Sequence, residues 1–292
     1  MYKKGVIIKS QKELYHVKTE NFEYLCKARG VFREKKIKPI VGDKVLVQIL
    51  DNNTAYIEEI FNRKNFLIRP PIANVDQILL VHTLQEPLIN YLTFDKYLVM
   101  LEHYKIPVKI IINKIELTND AQKQEFEEIY SKTNYDYLYT STRTGIGIDN
   151  LEKLLINKIS SFAGPSGVGK STLLNRISDD FEVQTADISK KTSRGRHTTR
   201  HVELFEIFEN SYLFDTPGFS ALNLSFIDDF KYVKNYFNEF KKYSLECKFK
   251  DCEHINEPKC GVKEAVENGK ISKSRYNNYI FIREEIKKER KY

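Results

Sequence analysis

The chain has 292 residues, a formal net charge of +7, 41% hydrophobic and 30% charged residues, and four cysteines. That length favours two or three domains, each with its own core, and the charge suits an anionic partner without identifying one. No apolar run of eighteen residues occurs and MYKKGVIIKS lacks a signal-peptide pattern, so no membrane partner is expected and a soluble cytoplasmic protein is.

The first segment, residues 1–66, reads as short alternating strands: GVIIKS, LYHVKT, EYLCKAR, KVLVQIL and AYIEEI, broken by turns such as PIVGD. Five such strands with no long helix predict an OB-like β-barrel, although an SH3-like barrel shows nearly the same pattern. Cys26 most simply fills a small core position. Arg33, Lys35, Lys36 and Lys38 crowd one loop that either binds RNA phosphates or is simply solvated, with Phe32 stacking a base or filling the core.

From NVDQILLVHTL onward strands and helices alternate, which predicts a central α/β domain over residues 67–224. Within it VKIIINKIE is an apolar run of strand length that ends in Asn113, Lys114, Ile115 and Glu116. In a motif of this kind the asparagine packs near a base and the lysine stem lies along the ring. The acidic side chain accepts from guanine N1 and the exocyclic amine, a donor pair that adenine lacks, so such a site rejects the wrong base by about 10⁴ or more. Glu116 stands where an aspartate is usual, and its extra methylene has to be absorbed by a shift of backbone or rotamer. Further on, YDYLYTSTRTG ends a strand near Ser141, whose backbone N–H is placed to meet the guanine carbonyl.

GPSGVGKS follows, as Gly164, Pro165, Ser166, Gly167, Val168, Gly169, Lys170 and Ser171. A glycine-rich turn feeding a helix brings backbone N–H groups and the positive helix end to a triphosphate. Lys170 then lies along the β- and γ-phosphates, Ser171 ligates Mg²⁺ and Thr172 faces the α-phosphate. The basic stretch KKTSRGRHTTRHVELFEIF reads as a first switch, with Thr199, or alternatively Thr198, closing on Mg²⁺. SYLFDTPG then supplies Asp215 for Mg²⁺ and the Gly218 N–H for the γ-phosphate. Phe219 follows where many GTPases carry a water-orienting glutamine, so hydrolysis by the isolated chain is expected to be slow. His197 is the candidate to position the water, and the other reading makes it a phosphate- or RNA-contacting switch residue.

The base reader thus precedes the phosphate loop, the reverse of the usual GTPase order and the mark of a circular permutation. Residues 225–292 read as a mainly helical domain around CKFKDCEHINEPKC, in which Cys247, Cys252, His254 and Cys260 match a structural Cys₃His zinc site. A disulfide set fits less well, because the fourth cysteine lies far away in the first segment. KYVKNYFNEFKKY before the knuckle and IREEIKKERKY at the end read as helical, the latter as a solvated end or an rRNA contact.

In motif order, with GPSGVGKS, GRHTTR, DTPGF and the C-x4-C-x-H-x5-C knuckle behind a small barrel, nearly the whole chain resembles the RsgA family of ribosome-small-subunit-dependent GTPases. The resemblance implies a bacterial cytoplasmic enzyme that binds the small subunit and its rRNA late in maturation and hydrolyses GTP to GDP faster when bound there. It also supports a catalytic histidine in the GRHTT loop, at His197, acting with Lys170 and Thr199. A monomer with no DNA partner is expected. Two other readings remain at this point: a GTP-dependent RNA-binding checkpoint with incidental turnover, and a general P-loop NTPase that carries a zinc domain.

Overall fold

Alternating residues of the first sixty place one side of each strand inside a closed ring. The computed structural model describes residues 1–11, 13–67, 71–179, 202–215 and 224–289. Strands β1 (Tyr2–Gln11), β2 (Leu14–Thr19) and β3 (Glu23–Ala28) are followed by a short helix α1 (Gly30–Glu34), β4 (Lys44–Ile49) and β5 (Thr54–Ile60). Strand β1 pairs antiparallel with both β2 and β4, β2 with β3 and β4 with β5, while β3 runs parallel to β5 and closes the ring. That closure, with a helix between the third and fourth strands, is the OB arrangement and decides between the two barrels left open by the sequence. Ile7, Val17, Cys26, Val47 and Ile57 fill the interior, and burial pushes the Cys26 thiol up to about 12. Phe32 is buried, so it serves the core, whereas Arg33, Lys35, Lys36 and Lys38 are exposed.

After a short antiparallel pair, β6 (Phe66–Leu67) and β7 (Ile72–Ala73), the chain alternates: β8 (Gln77–His82), α2 (Tyr91–His103), β9 (Val108–Ile112), α3 (Asp120–Tyr130), β10 (Tyr137–Tyr139), α4 (Ile148–Leu155), β11 (Ile159–Ala163) and α5 (Lys170–Asp179). Strands β12 (Glu203–Phe208) and β13 (Ser211–Asp215) come next, then a 3₁₀ helix (Phe230–Tyr236), α6 (Phe240–Ser244), α7 (Gly261–Glu267) and α8 (Lys273–Glu289). KYVKNYFNEFKKY, expected to be helical, is therefore split between the 3₁₀ helix and the short α6. Phe237 and Phe240 turn into the core at the break, with ring centroids 5.2 Å apart.

Two compact units result, Met1–Leu79 with Ile148–Ala163 and Lys170–Ser220, and Leu80–Gly147 with Gly164–Gly169 and Ala221–Tyr292. In the first, β11 runs parallel to β13, β13 pairs antiparallel with β12, and β12 meets the barrel's β1 where Lys9 and Glu203 stand opposite each other with a 2.9 Å ion pair. Gln77, at the start of β8, is buried and donates to the Leu154 carbonyl at 2.6 Å.

In the second unit β9 and β10 run parallel, Ile110 opposite Tyr137; Ile110, Ile111 and Ile112 of β9 are buried as a covered parallel strand requires, while β10 is half-buried. Helix α2 is capped by Asn90 and α3 by a capping box of Asn119 and Gln122, which satisfy backbone N–H groups the helices leave open. Phe94, Phe126 and Tyr130 join the two helices, with Tyr130 ring centroids 5.0 and 4.9 Å from the two phenylalanines. Among the described residues no helix is long and apolar enough to cross a membrane.

Candidate nucleotide and metal sites

The end of β9 fixes the base-reading motif. Asn113 is buried; its backbone N–H donates to the His82 carbonyl at 2.7 Å and its side-chain Nδ2 to the Val168 carbonyl at 2.9 Å. Val168 belongs to the glycine-rich loop, so one amide ties two motifs that lie 55 residues apart in sequence. Thr140, which the sequence reading passed over, donates its hydroxyl to Asn113 Oδ1 at 3.1 Å. Lys114 sits in the left-handed region at φ 56° and opens a 3₁₀ turn over Ile115–Leu117. A side-chain-bearing residue there is strained, a condition that recurs at functional sites. The turn buries Ile115 and the Oε2 atom of Glu116, and that oxygen has no hydrogen-bond partner among the described residues. A buried acceptor of this kind fits a ligand that brings N–H donors, as guanine does.

Ser141 is buried in the loop after β10, but its N–H donates to the Ile146 carbonyl at 2.9 Å and its hydroxyl accepts from Thr144 N at 3.0 Å. The loop's own turn therefore engages the donor that the sequence reading aimed at a base carbonyl.

The segment Gly164–Gly169 is shaped by backbone rather than side chains. Gly164, Gly167 and Gly169 take φ of +130°, +85° and +94°. A Cβ on Gly164 would lie 2.1 Å from the Val81 carbonyl oxygen, and one on Gly169 2.5 Å from Asn113 Nδ2. Both positions need glycine on space as well as on φ. Pro165 is half-buried, Ser166 exposed and Val168 buried. Helix α5 begins at Lys170, where burial presses the ammonium below its ordinary range, while Ser171 and Thr172 are exposed. Backbone places Asp215 at the end of β13. Its carboxylate, and His197, Thr198, Thr199, Gly218 and Phe219, lie outside the described residues.

At the other end of the chain, Cys247, Cys252, His254 and Cys260 bring one ligand atom each to within 4.8 Å of one another. Cys247 and Cys260 sulfurs are 3.8 Å apart, and His254 Nδ1 lies 3.6 and 3.4 Å from them. A tetrahedral ion with bonds of about 2.3 Å to sulfur and 2.0 Å to nitrogen sets ligand atoms about 3.4–3.8 Å apart, so the cluster can hold a metal ion. The other imidazole nitrogen, Nε2, is 3.2 Å from Ser244 Oγ, which orients the ring and leaves Nδ1 for the ion. Backbone contacts hold the turn: Tyr276 donates to the His254 carbonyl at 2.6 Å and Lys234 to the Cys252 carbonyl at 2.8 Å. The Glu257 carboxylate accepts from Glu253 N and Ile255 N at 2.7 and 2.9 Å. Burial pushes the Cys252 thiol up to about 12 and, helped by Lys234, the His254 imidazole down to about 4. A neutral imidazole is the ligating form, whereas the thiols need a cation to replace their protons.

With this geometry in place, the profile of the RsgA GTPase family matches residues 60–225 and that of the RsgA N-terminal domain residues 4–57. The chain belongs to the RsgA GTPase family. It is accordingly a GTP-hydrolysing enzyme. A protein of Alkaliphilus metalliredigens named small ribosomal subunit biogenesis GTPase RsgA is 43% identical over 291 residues, 99% of each chain. One of the same name from a Geobacillus species is 48% identical over 290 residues, 98% of each. The crystal structure of YjeQ from Thermotoga maritima superposes with a TM-score of 0.86 at 38% identity, covering 98% of this chain and 99% of that one. YloQ, described as a circularly permuted GTPase, gives 0.84 at 35% identity, with 99% and 96% covered. The permuted motif order and the N-terminal barrel thus hold for this chain.

One cluster carries no motif and was not foreseen. Arg275 on α8 is buried; it donates to Asp95 Oδ1 of α2 at 2.6 Å and through two nitrogens to the Glu239 carboxylate, each at 2.8 Å. Asp95 also accepts from Tyr130 at 2.8 Å and Asn278 at 2.7 Å, and the guanidinium stands over the Phe237 ring at 4.7 Å. The network binds the helices around the metal cluster to α2 and α3 inside one compact unit.

Proposed function

We propose that the chain is a cytoplasmic, monomeric GTPase that binds the small ribosomal subunit and its rRNA and acts late in that subunit's maturation, with GTP turnover stimulated by the subunit. The observation that carries the reading is the bond from Asn113 to the Val168 carbonyl, which joins base reader and phosphate loop in a chain alike throughout its length to proteins named for small-subunit biogenesis. Three segments divide the work: the barrel over 1–66 as an RNA-binding element, the permuted G domain over 67–224 and the zinc-binding helical region over 225–292.

Glu116 accepts from the guanine N1 and amine, Asn113 and Lys114 frame the ring, and Ile115 sets the turn that aims the carboxylate. Ser141 brings the loop after β10 to the base, its backbone N–H bonded within that loop to the Ile146 carbonyl. Backbone N–H groups of Gly164–Gly169 and the start of α5 cradle the phosphates, with Thr172 at the α-phosphate and Lys170 along the β and γ groups. Lys170 suits this place because its ammonium is already partly desolvated. Ser171, Thr199 and Asp215 hold Mg²⁺, which supplies charge neutralisation when bound, and the Gly218 N–H senses the γ-phosphate. His197 accepts a hydrogen bond from the attacking water and orients it. Cys247, Cys252, His254 and Cys260 hold one structural zinc ion, the thiolate-rich donor set and tetrahedral spacing being its chemistry.

The test is steady-state hydrolysis of GTP and ATP by the purified chain, alone and with small or large ribosomal subunits. GTP-selective stimulation by the small subunit is expected; equal turnover of both nucleotides, indifferent to either subunit, overturns the reading. His197→Ala should then lower stimulated turnover while GTP affinity stays close to that of the parent chain.

A further inference from the structure

Three residues of the loop between β8 and α2 reach, respectively, the base reader, the phosphate loop and the start of α3. Glu86 offers its backbone carbonyl to Lys114 Nζ at 2.9 Å. Pro87 lies beside the phosphate loop, since a methyl placed on Gly167 would meet its Cδ at 3.8 Å. Gln85 is hydrogen-bonded to Gln122, a member of the capping box that starts α3 just past the base reader. What fixes the loop from within is Thr83: its hydroxyl donates to the Pro87 carbonyl at 2.7 Å, and the residue is 1% exposed while Gln85, Glu86 and Pro87 stand in solvent.

We propose that Thr83 is a positioning residue for guanine-nucleotide binding, acting through the Glu86 carbonyl on Lys114. The inference rests on the reading of Asn113–Glu116 as the base site. A lysine side chain has four rotatable bonds, and a stem that must lie along a purine loses that freedom when the nucleotide binds. Holding the ammonium at a fixed carbonyl before the nucleotide arrives removes part of that loss from binding, which is preorganisation. The carbonyl can do so only if the exposed Gln85–Pro87 turn keeps its place, and the Thr83 hydroxyl closes that turn across four residues.

The experiment is stopped-flow release of N-methylanthraniloyl-GDP from the full chain, chased with excess GDP, in a double-mutant cycle of Thr83→Val and Lys114→Ala. Loss of the part-buried hydrogen bond that holds this turn should speed release from Thr83→Val roughly three- to tenfold, with Thr83→Ser close to the parent chain. In the Lys114→Ala background Thr83→Val should add less than about twofold, because the residue it acts through is gone. Equal effects in the two backgrounds, or none in the parent, overturn the proposal while leaving the base-site reading intact. If the parent chain does not bind the analogue in competition with GDP, the base-site reading fails and the proposal with it. Should Thr83→Val not fold, exposed Gln85→Ala loosens the same turn from α3 and replaces it in the cycle. The expectation is then about twofold faster release with the same dependence on Lys114; a loss that persists without Lys114 refutes the role.

Discussion

In the knuckle, four side chains from a fourteen-residue stretch converge, and the backbone serves to hold them: the Glu257 carboxylate, Tyr276 and Lys234 all bond main-chain groups of the turn. In the phosphate loop the roles are reversed. Glycines at positive φ shape the surface, and one side chain from outside, Asn113, holds the loop by the Val168 carbonyl. A site made of side chains depends on its ligand for stability, because buried thiols and an imidazole gain their compensation from the ion. A site made of backbone is held by the fold whether or not its ligand is bound. The two should therefore respond in opposite ways when they are damaged.

The largest effect tests the first half of that contrast. Structural zinc in small domains contributes about 10–16 kcal/mol at neutral pH, so its loss should dominate all other changes. Cys252→Ser, or a strong chelator, should release one equivalent of zinc and abolish the cooperative melting of the C-terminal helices. Metal analysis with circular dichroism reads both. An unchanged melt after chelation would show that the cluster folds on hydrogen bonds alone.

The Arg275 network comes next, since it carries the knuckle's helices on α2 and α3. Removing one partner of a buried ion pair costs about 3–5 kcal/mol; an apolar replacement of similar volume leaves the same two carboxylates unpaired but keeps the space filled. Arg275→Ala should lower the urea midpoint strongly and Arg275→Met less. Asp95→Asn should fall between them, because its single amide oxygen keeps the acceptor on one side only while Arg275 retains the Glu239 carboxylate. Equal losses for Ala and Met would assign the stability to the guanidinium's bonds rather than to the filled space.

What could be read in advance follows the same division. The knuckle's Cys₃His cluster was legible because metal chemistry accepts few residue types at short spacing, and the glycines because a positive φ leaves few alternatives. Barrel strands were legible from alternation, but the choice of an OB over an SH3-like barrel was not, since alternation gives faces and never pairing partners such as β3 with β5. Arg275 was invisible because its partners lie 36 and 180 residues away and none stands in a motif. Ser141 was read as a base-facing donor because sequence cannot show that Ile146 already accepts from its N–H.

For the backbone-built site the expected damage is local. Gly169→Ala places a Cβ 2.5 Å from Asn113 Nδ2 at φ +94°, so the loop has to move away from the amide that holds it. Strain and the lost hydrogen bond together should weaken GDP binding roughly 100-fold by calorimetry. The thermal midpoint without nucleotide should stay within a few degrees of the parent. A large drop in that midpoint would mean that the loop is a stabilising element and that the contrast with the knuckle fails.

The smallest effect separates the two halves of the base site. Thr140 is buried, and its hydroxyl donates to the oxygen of the Asn113 amide, so the nitrogen of the same amide faces Val168. An amide held at only one end can rotate, and a half-turn would present oxygen to the Val168 carbonyl oxygen, two acceptors in contact. Thr140→Val keeps the shape and removes only the donor. One neutral hydrogen bond contributes about 1 kcal/mol net, so GDP affinity should fall about fivefold with stability nearly unchanged. The loss should vanish in an Asn113→Ala background, because the hydroxyl acts on nothing else in the site. If it persists there, Thr140 supports the Ser141 loop directly, and the second base loop contributes to binding independently of the first.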